Sequence, residues 1–447
     1  MGGSRSPSAF PVRVGIHPAV FIPTKPLCIY PPLLLAVVYV GHPKARVDMV
    51  KIQFDKVSKV FGSRPEQALK LADTGVDRAE IQRRTSQVLA LHNVSFSVEA
   101  GEIVVVMGLS GSGKSTLIRC LNHLIAPSSG RVLIDDVHVG GLNKTALRHL
   151  RQKKMGMVFQ NFALFPHKTV LQNAEYGLEV MGESKTRRRE VAMEMLTRVG
   201  LASWENARPD ELSGGMRQRV GLARALALDP DILLMDEAFS ALDPLIRRDM
   251  QEELLRLQED LHKTVLFISH DLDEALKLGN RIVLLRDGCV IQDGTPEEIL
   301  TSPADDYVAR FVEGADLTRV LTASSVMRPP GEVTFLGVDG PRTALRKMKT
   351  QGITSLFVLE RTTHKLLGLV LADDALALAQ DGKRDLESIV LKDIVSVAED
   401  TSVTELIPLM ADLPHPLAVV DGKGRLSGVI VRGALLGALG ETKGGNA

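Results

Sequence analysis

Short runs of aliphatic and β-branched residues alternate with amphipathic, charge-bearing stretches from Met49 to about Gly314. That alternation predicts an α/β domain over residues 49–314, built on a mostly parallel sheet. The clearest strands read IVVVMG (103–108), DILLMDE (231–237), TVLFISH (264–270) and RIVLLRDG (281–288). Each is apolar almost without a break, as expected of strands covered on both faces. Residues 64–87 interrupt the pattern with a polar, helix-prone insertion, and residues 166–210, rich in Met, Glu and Arg, read as a helical subdomain. The basic stretch Lys185 to Glu190 within it reads as a solvated helix face.

After Gly314 the pattern becomes finer and repeats. SLFVLERTTHKLLGLVLADDAL and PLAVVDGKGRLSGVIVRGALL share a strand, a polar turn, a Leu-x-Gly step and a second strand, with Gly368 and Gly428 in corresponding places. A tandem α/β module is therefore expected over residues 321–442, in copies of about 321–384 and 389–442. Helical stretches precede each repeat, around Ala344 to Met348 and Val403 to Met410. Residues 1–48 are Pro-rich and poorly periodic, and are expected to be a disordered tail or an over-extended start, with Met49 as the initiator.

Composition narrows the classes. The chain has 447 residues, more than one core organises. Its 54 Lys plus Arg balance 54 Asp plus Glu, so no overall field points to nucleic acid or an anionic surface. Cys28, Cys120 and Cys289 stand far apart, which fits a reducing compartment and argues against a cysteine-built zinc site. No run of about 18 apolar residues occurs, so no spanning helix is expected. Leu33 to Val40 has the length of the apolar part of a signal peptide, but the following GHPKARV lacks a small-residue cleavage pattern.

The chemistry begins at Gly108 to Ser115, GLSGSGKS, set between the strand IVVVM and the helical TLIRCLNHL. The spacing is that of a phosphate-binding loop. Gly108, Gly111 and Gly113 let the backbone wrap an anion, so that N–H groups around Ser110, Ser112 and Thr116 and the helix N-terminus face it. Lys114 would bridge the terminal phosphates of ATP, and the Ser115 hydroxyl would ligate Mg²⁺. At the end of a second strand, Asp236 is expected on the metal and Glu237 beside the attacking water, at the edge where open parallel sheets bind ligands. Such a nucleotide site needs cytosolic ATP, which counts against export.

Leu212 to Gly215 (LSGG), a short helix before the strand ending in Asp236, resembles the signature of ABC ATPases. Further motifs follow that family's order: Gln160 in MVFQ resembles the loop glutamine that reaches metal and water, Ser240 to Asp243 (SALD) the dimer-contact loop, and His270 in FISH the switch histidine. The resemblance implies a P-loop NTPase fold of ABC type with a helical subdomain, and a homodimer. In it Ser213, Gly214 and Gly215 of one copy close over the nucleotide held by Lys114 of the other, with Asp243 at the contact. Phe61 sits where the family stacks an aromatic on adenine. Met216 departs from the family's usual Gln, without touching the anion-binding groups.

The insertion after Phe61, the sequence GLSGSGKS…NHLIAPSSG, and the tandem module, which looks like paired CBS domains, resemble the ATP subunits of glycine betaine, proline betaine and choline importers. That resemblance implies a peripheral protein on the cytoplasmic face of the inner membrane, integral permease subunits as partners, an extracytoplasmic solute-binding protein met indirectly, and no nucleic acid. The segment after Gln160, with Phe162 and Phe165, would suit docking to the permease if those rings are exposed. In this family the CBS pair is regulatory, responding to ionic strength or to a nucleotide. An Asp six residues after the strand glycine marks adenosyl-binding copies; Asp374 supplies it in the first copy, whereas Ala434 stands in the second. Rival readings are an importer ATPase for another small solute, a non-transport ABC ATPase, or a sensory protein with a degenerate ATPase. A non-transport type would be expected to show a second cassette or long coiled coils, and every catalytic motif residue is present.

Overall fold

A computed structural model describes residues 49–440; the expectations for residues 1–48, Cys28 among them, lie outside that range. The first domain holds two sheets. Strands β1 (Val50–Phe61), β2 (Val88–Glu99), β4 (Ser129–Ile134) and β5 (Val137–His138) form an antiparallel sheet of order β2-β1-β4-β5. The other has the order β10-β9-β3-β8-β7-β6, from β3 (Ile103–Met107), β6 (Met155–Phe159), β7 (Ile232–Asp236), β8 (Thr264–Ile268), β9 (Arg281–Arg286) and β10 (Cys289–Gly294). All its pairings are parallel except β9 with β10.

The unbroken apolar runs have a direct cause in this sheet. Side chains alternate faces along a strand. Ile103, Val105 and Met107, with Leu233, Met235 and Phe267, enter one core shared with helices between Val170 and Leu257. Val104 and Val106, with Leu234 and Ile268, enter a second core shared with β1, β2, β4 and the helix Lys114–Leu121. Cys120 packs in that second core, where burial pushes its thiol up to about 11. Both faces are covered, so no position on these strands favours a polar residue until the C-terminal ends.

The insertion forms two short helices, Pro65–Asp73 and Arg78–Thr85, over a small core of Val60, Ala68, Ala72, Ile81 and Leu89. Helices Val170–Ala174, Tyr176–Met181 and Lys185–Arg198 build the helical layer. Among the described residues no helix is long and apolar enough to cross a membrane.

The tandem module contains two three-stranded sheets with one pattern. In β11 (Thr334–Phe335), β12 (Ser355–Leu359) and β13 (Leu366–Leu371) the first pairing is parallel and the second antiparallel. The same holds for β14 (Ser396–Ala398), β15 (Leu417–Val420) and β16 (Leu426–Ile430). The segments leading into the copies are exchanged. Leu321, Ala323 and Val326 pack in the core of the second sheet, while Leu386 and Ile389 pack in that of the first. Gly368 and Gly428 admit this exchange: a Cβ would lie 2.3 Å from the Leu391 carbonyl in one case and 2.5 Å from the Met327 sulfur in the other.

Candidate functional site

The C-terminal ends of β3, β8, β7 and β6 lie side by side, and each carries one motif. The loop after β3 turns tightly into the helix Lys114–Leu121. Gly108 (φ 143°) and Gly113 (φ 109°) occupy backbone conformations that suit glycine, and a Cβ on them would meet the carbonyls of Leu285 at 2.1 Å and Ala90 at 2.7 Å. Lys114 is buried, and its Nζ donates to the carbonyls of Gly108 at 2.7 Å and Leu109 at 3.1 Å. Burial pulls its pKa below the usual lysine range, against the opposing pull of Glu237 and Asp236. The Ser112 hydroxyl is buried without a hydrogen-bond partner.

Asp236 closes β7, and the Ser115 hydroxyl donates to its Oδ1 at 3.4 Å. Burial, then the neighbouring Glu237, hold the Asp236 carboxyl above the usual range. Glu237 itself has φ 47°, a left-handed backbone that costs a non-glycine residue about 1–3 kcal/mol. That turn aims its carboxylate between two other motifs: Gln160 Nε2 and His270 Nδ1 each lie 3.4 Å from Oε2. Gln160 also donates to the Ser240 hydroxyl at 3.1 Å, so the SALD segment meets Gln160 and Glu237 within the chain. A pocket of about 630 Å³ is lined by Phe61, Ser110, Gly111, Lys114, Ser115 and Thr116, with Glu237 and His270 beside them. Phe61 is 41% exposed there, with the Lys59 ammonium over its ring at 5.2 Å from the centre.

Ser213, Gly214, Gly215 and Asp243 do not line this pocket. Ser213 caps the helix Gly214–Leu226, accepting from the Met216 N–H at 3.3 Å. Asp243 likewise caps Pro244–Leu261. The two helices pack closely, since a Cβ on Gly215 would fall 2.4 Å from the Ile246 side chain. Arg247 then joins the SALD segment to the segment after His270, donating to the Leu242 carbonyl at 3.2 Å and to Asp271 at 2.9 Å.

One residue at the site carried no motif: Arg78 of the insertion lines the pocket and donates to the Gly111 carbonyl at 2.8 Å. The docking expectation for Phe162 and Phe165 meets a different environment. Both are half-buried: Arg217 lies 5.2 Å from the Phe162 ring centre, and Phe165 packs on Tyr176 at 4.5 Å. Each ring keeps part of its surface exposed.

Just after His270, Glu274 is buried and accepts from Gln251 and Ser269. Burial raises its pKa against the hydrogen bonds from Ser269 and Gln251, with Asp271 adding to the rise and Arg247 opposing it. A raised carboxyl pKa means that the ionised form costs stability once pH rises through the interval between the unfolded and folded values. Glu274→Gln is therefore expected to raise the melting midpoint at neutral pH and to leave it unchanged in acid. Melting curves of both proteins across pH check this, and a midpoint lowered equally at every pH would contradict it.

The family described as ABC transporter matches residues 91–240, and the family described as CBS domain matches residues 386–441. The chain is 51% identical over 390 residues to the glycine betaine transport ATP-binding protein OpuAA of Bacillus subtilis (strain 168), a match covering 87% of this chain and 92% of that protein. It is 48% identical over 391 residues to the glycine betaine/carnitine transport ATP-binding protein GbuA of Listeria monocytogenes (serotype 1/2a, strain 10403S), covering 88% and 98%. Identity to the glycine betaine/proline betaine transport system ATP-binding protein ProV of Escherichia coli (strain K12) is 45% over 392 residues, covering 87% and 98%.

Proposed function

The chain belongs to the ATP-binding proteins of glycine betaine and proline betaine ABC transport systems, and from that premise we propose that it hydrolyses ATP to drive import of such a quaternary amine through a membrane permease. The observation that supports the catalytic half best is the Glu237 carboxylate, held between Gln160 and His270 beside the phosphate loop. Glu237 takes the proton of the water that attacks the γ-phosphate, giving ADP and phosphate. Lys114 holds the terminal phosphates, His270 contacts the γ-phosphate, and Phe61 stacks on adenine.

Ser115, Asp236 and Gln160 supply oxygen ligands of the kind Mg²⁺ prefers. A half-buried carboxylate whose ionised form is disfavoured suits a divalent cation. When bound with the nucleotide, the ion neutralises phosphate charge.

Ser213, Gly214 and Gly215 present a hydroxyl and helix N-terminal amides away from the chain's own pocket, which supports closure over the nucleotide of a second copy. Such a homodimer would sit against permease subunits at the cytoplasmic face of the membrane, meeting an extracytoplasmic solute-binding protein only through them. Selectivity among amines then belongs to those partners. Vesicles carrying the chain with its permease and solute-binding protein, loaded with ATP, should accumulate labelled glycine betaine. Uptake of some unrelated solute alone would refute the substrate class.

The tandem module has cores separate from those of the first domain, so its removal need not unfold the ATPase. Deleting residues 321–447 should spare basal ATP hydrolysis and change its response to salt. An identical salt profile would count against a regulatory role.

A further inference from the structure

The insertion between β1 and β2 takes no part in the chemistry above, yet it reaches the pocket. It is a held element. Asp77 caps its second helix by accepting from the Glu80 N–H at 2.9 Å, which makes Arg78 the first helical residue. At its base the Gln87 side chain accepts from the Arg64 N–H at 3.1 Å, and Gly62 passes so near Gln87 that a Cβ would lie 2.5 Å from it. Arg78 is thus delivered by packed structure to the tip of the phosphate loop, where its Nη1 donates to the Gly111 carbonyl at 2.8 Å.

A staple between insertion and loop would need only that one bond. The guanidinium offers further N–H donors and a positive charge. It lines the same pocket as Phe61 and Lys114, so a nucleotide seated on those two residues lies within its cavity. We propose that Arg78 is a nucleotide-binding residue, its guanidinium holding a phosphate oxygen of the bound nucleoside di- or triphosphate while one N–H keeps the Gly111 carbonyl. The proposal rests on the nucleotide reading of the phosphate loop. Through Arg78 the insertion adds a second cation to the site, from outside the motif that supplies Lys114.

The test uses the full chain and a fluorescent ATP analogue, with melting curves taken without nucleotide. Arg78→Gln should raise the Kd roughly tenfold to a hundredfold, the loss expected for one charge-assisted contact, at an unchanged melting midpoint. A lowered midpoint with unchanged Kd would make Arg78 a staple only and overturn the proposal. If both change, Arg78→Lys decides: partial recovery of affinity through the restored charge supports the contact, and none overturns it. Lys114→Ala, run alongside, separates the two readings. Loss of affinity there with none in Arg78→Gln would remove this inference alone, whereas normal affinity in Lys114→Ala would remove the phosphate-loop reading beneath it.

Discussion

Glu237→Gln should lower ATP turnover by roughly 10²- to 10⁴-fold, the range lost with a general base, while ATP affinity stays near that of the unaltered chain. The substitution keeps the side-chain shape and an acceptor oxygen for Gln160 and His270, which lie 3.4 Å from the carboxylate. It removes only the capacity to take a proton. Steady-state hydrolysis and equilibrium ATP binding on the same sample separate the two effects. Unchanged turnover would remove Glu237 from the role of base.

Lys114→Ala should act on the other half of the cycle, raising the Kd for ATP by roughly a hundredfold or more. Each charge-assisted bond from an ammonium contributes about 1.5–3 kcal/mol, and Lys114 can place more than one on the terminal phosphates. Its burial strengthens the case: an ammonium whose charged form is disfavoured by its surroundings gains most from an incoming anion. Titration of the variant with a fluorescent ATP analogue reads the loss. Normal affinity would mean that the anion lies elsewhere.

The strands of the first domain were legible because their surroundings leave one solution. A segment covered on both faces must be apolar at every position, and IVVVM and ILLM are. The phosphate loop was legible for a related reason, since Gly108 and Gly113 sit where a Cβ would strike a carbonyl. Three features were not. The apolar pattern of Leu321 to Val326 says that those side chains are buried but not in which copy of the tandem module, so the exchange of segments had no signal. The partial burial of Phe162 and Phe165, one beside Arg217 and the other on Tyr176, had no mark in the local sequence. Arg78 is a single cation in a polar helix, and its partner Gly111 lies 33 residues away across a packed insertion.

If ATP joins two copies of this chain, the phosphate loop of one meets Ser213 to Gly215 of the other. Light scattering on Glu237→Gln protein with Mg²⁺ tests it most directly. The mass of two chains is expected with ATP and of one with ADP, with loss of the ATP-dependent pairing when Ser213 is also replaced by Arg. A chain that binds one ATP per copy and keeps the same mass with either nucleotide would contradict it.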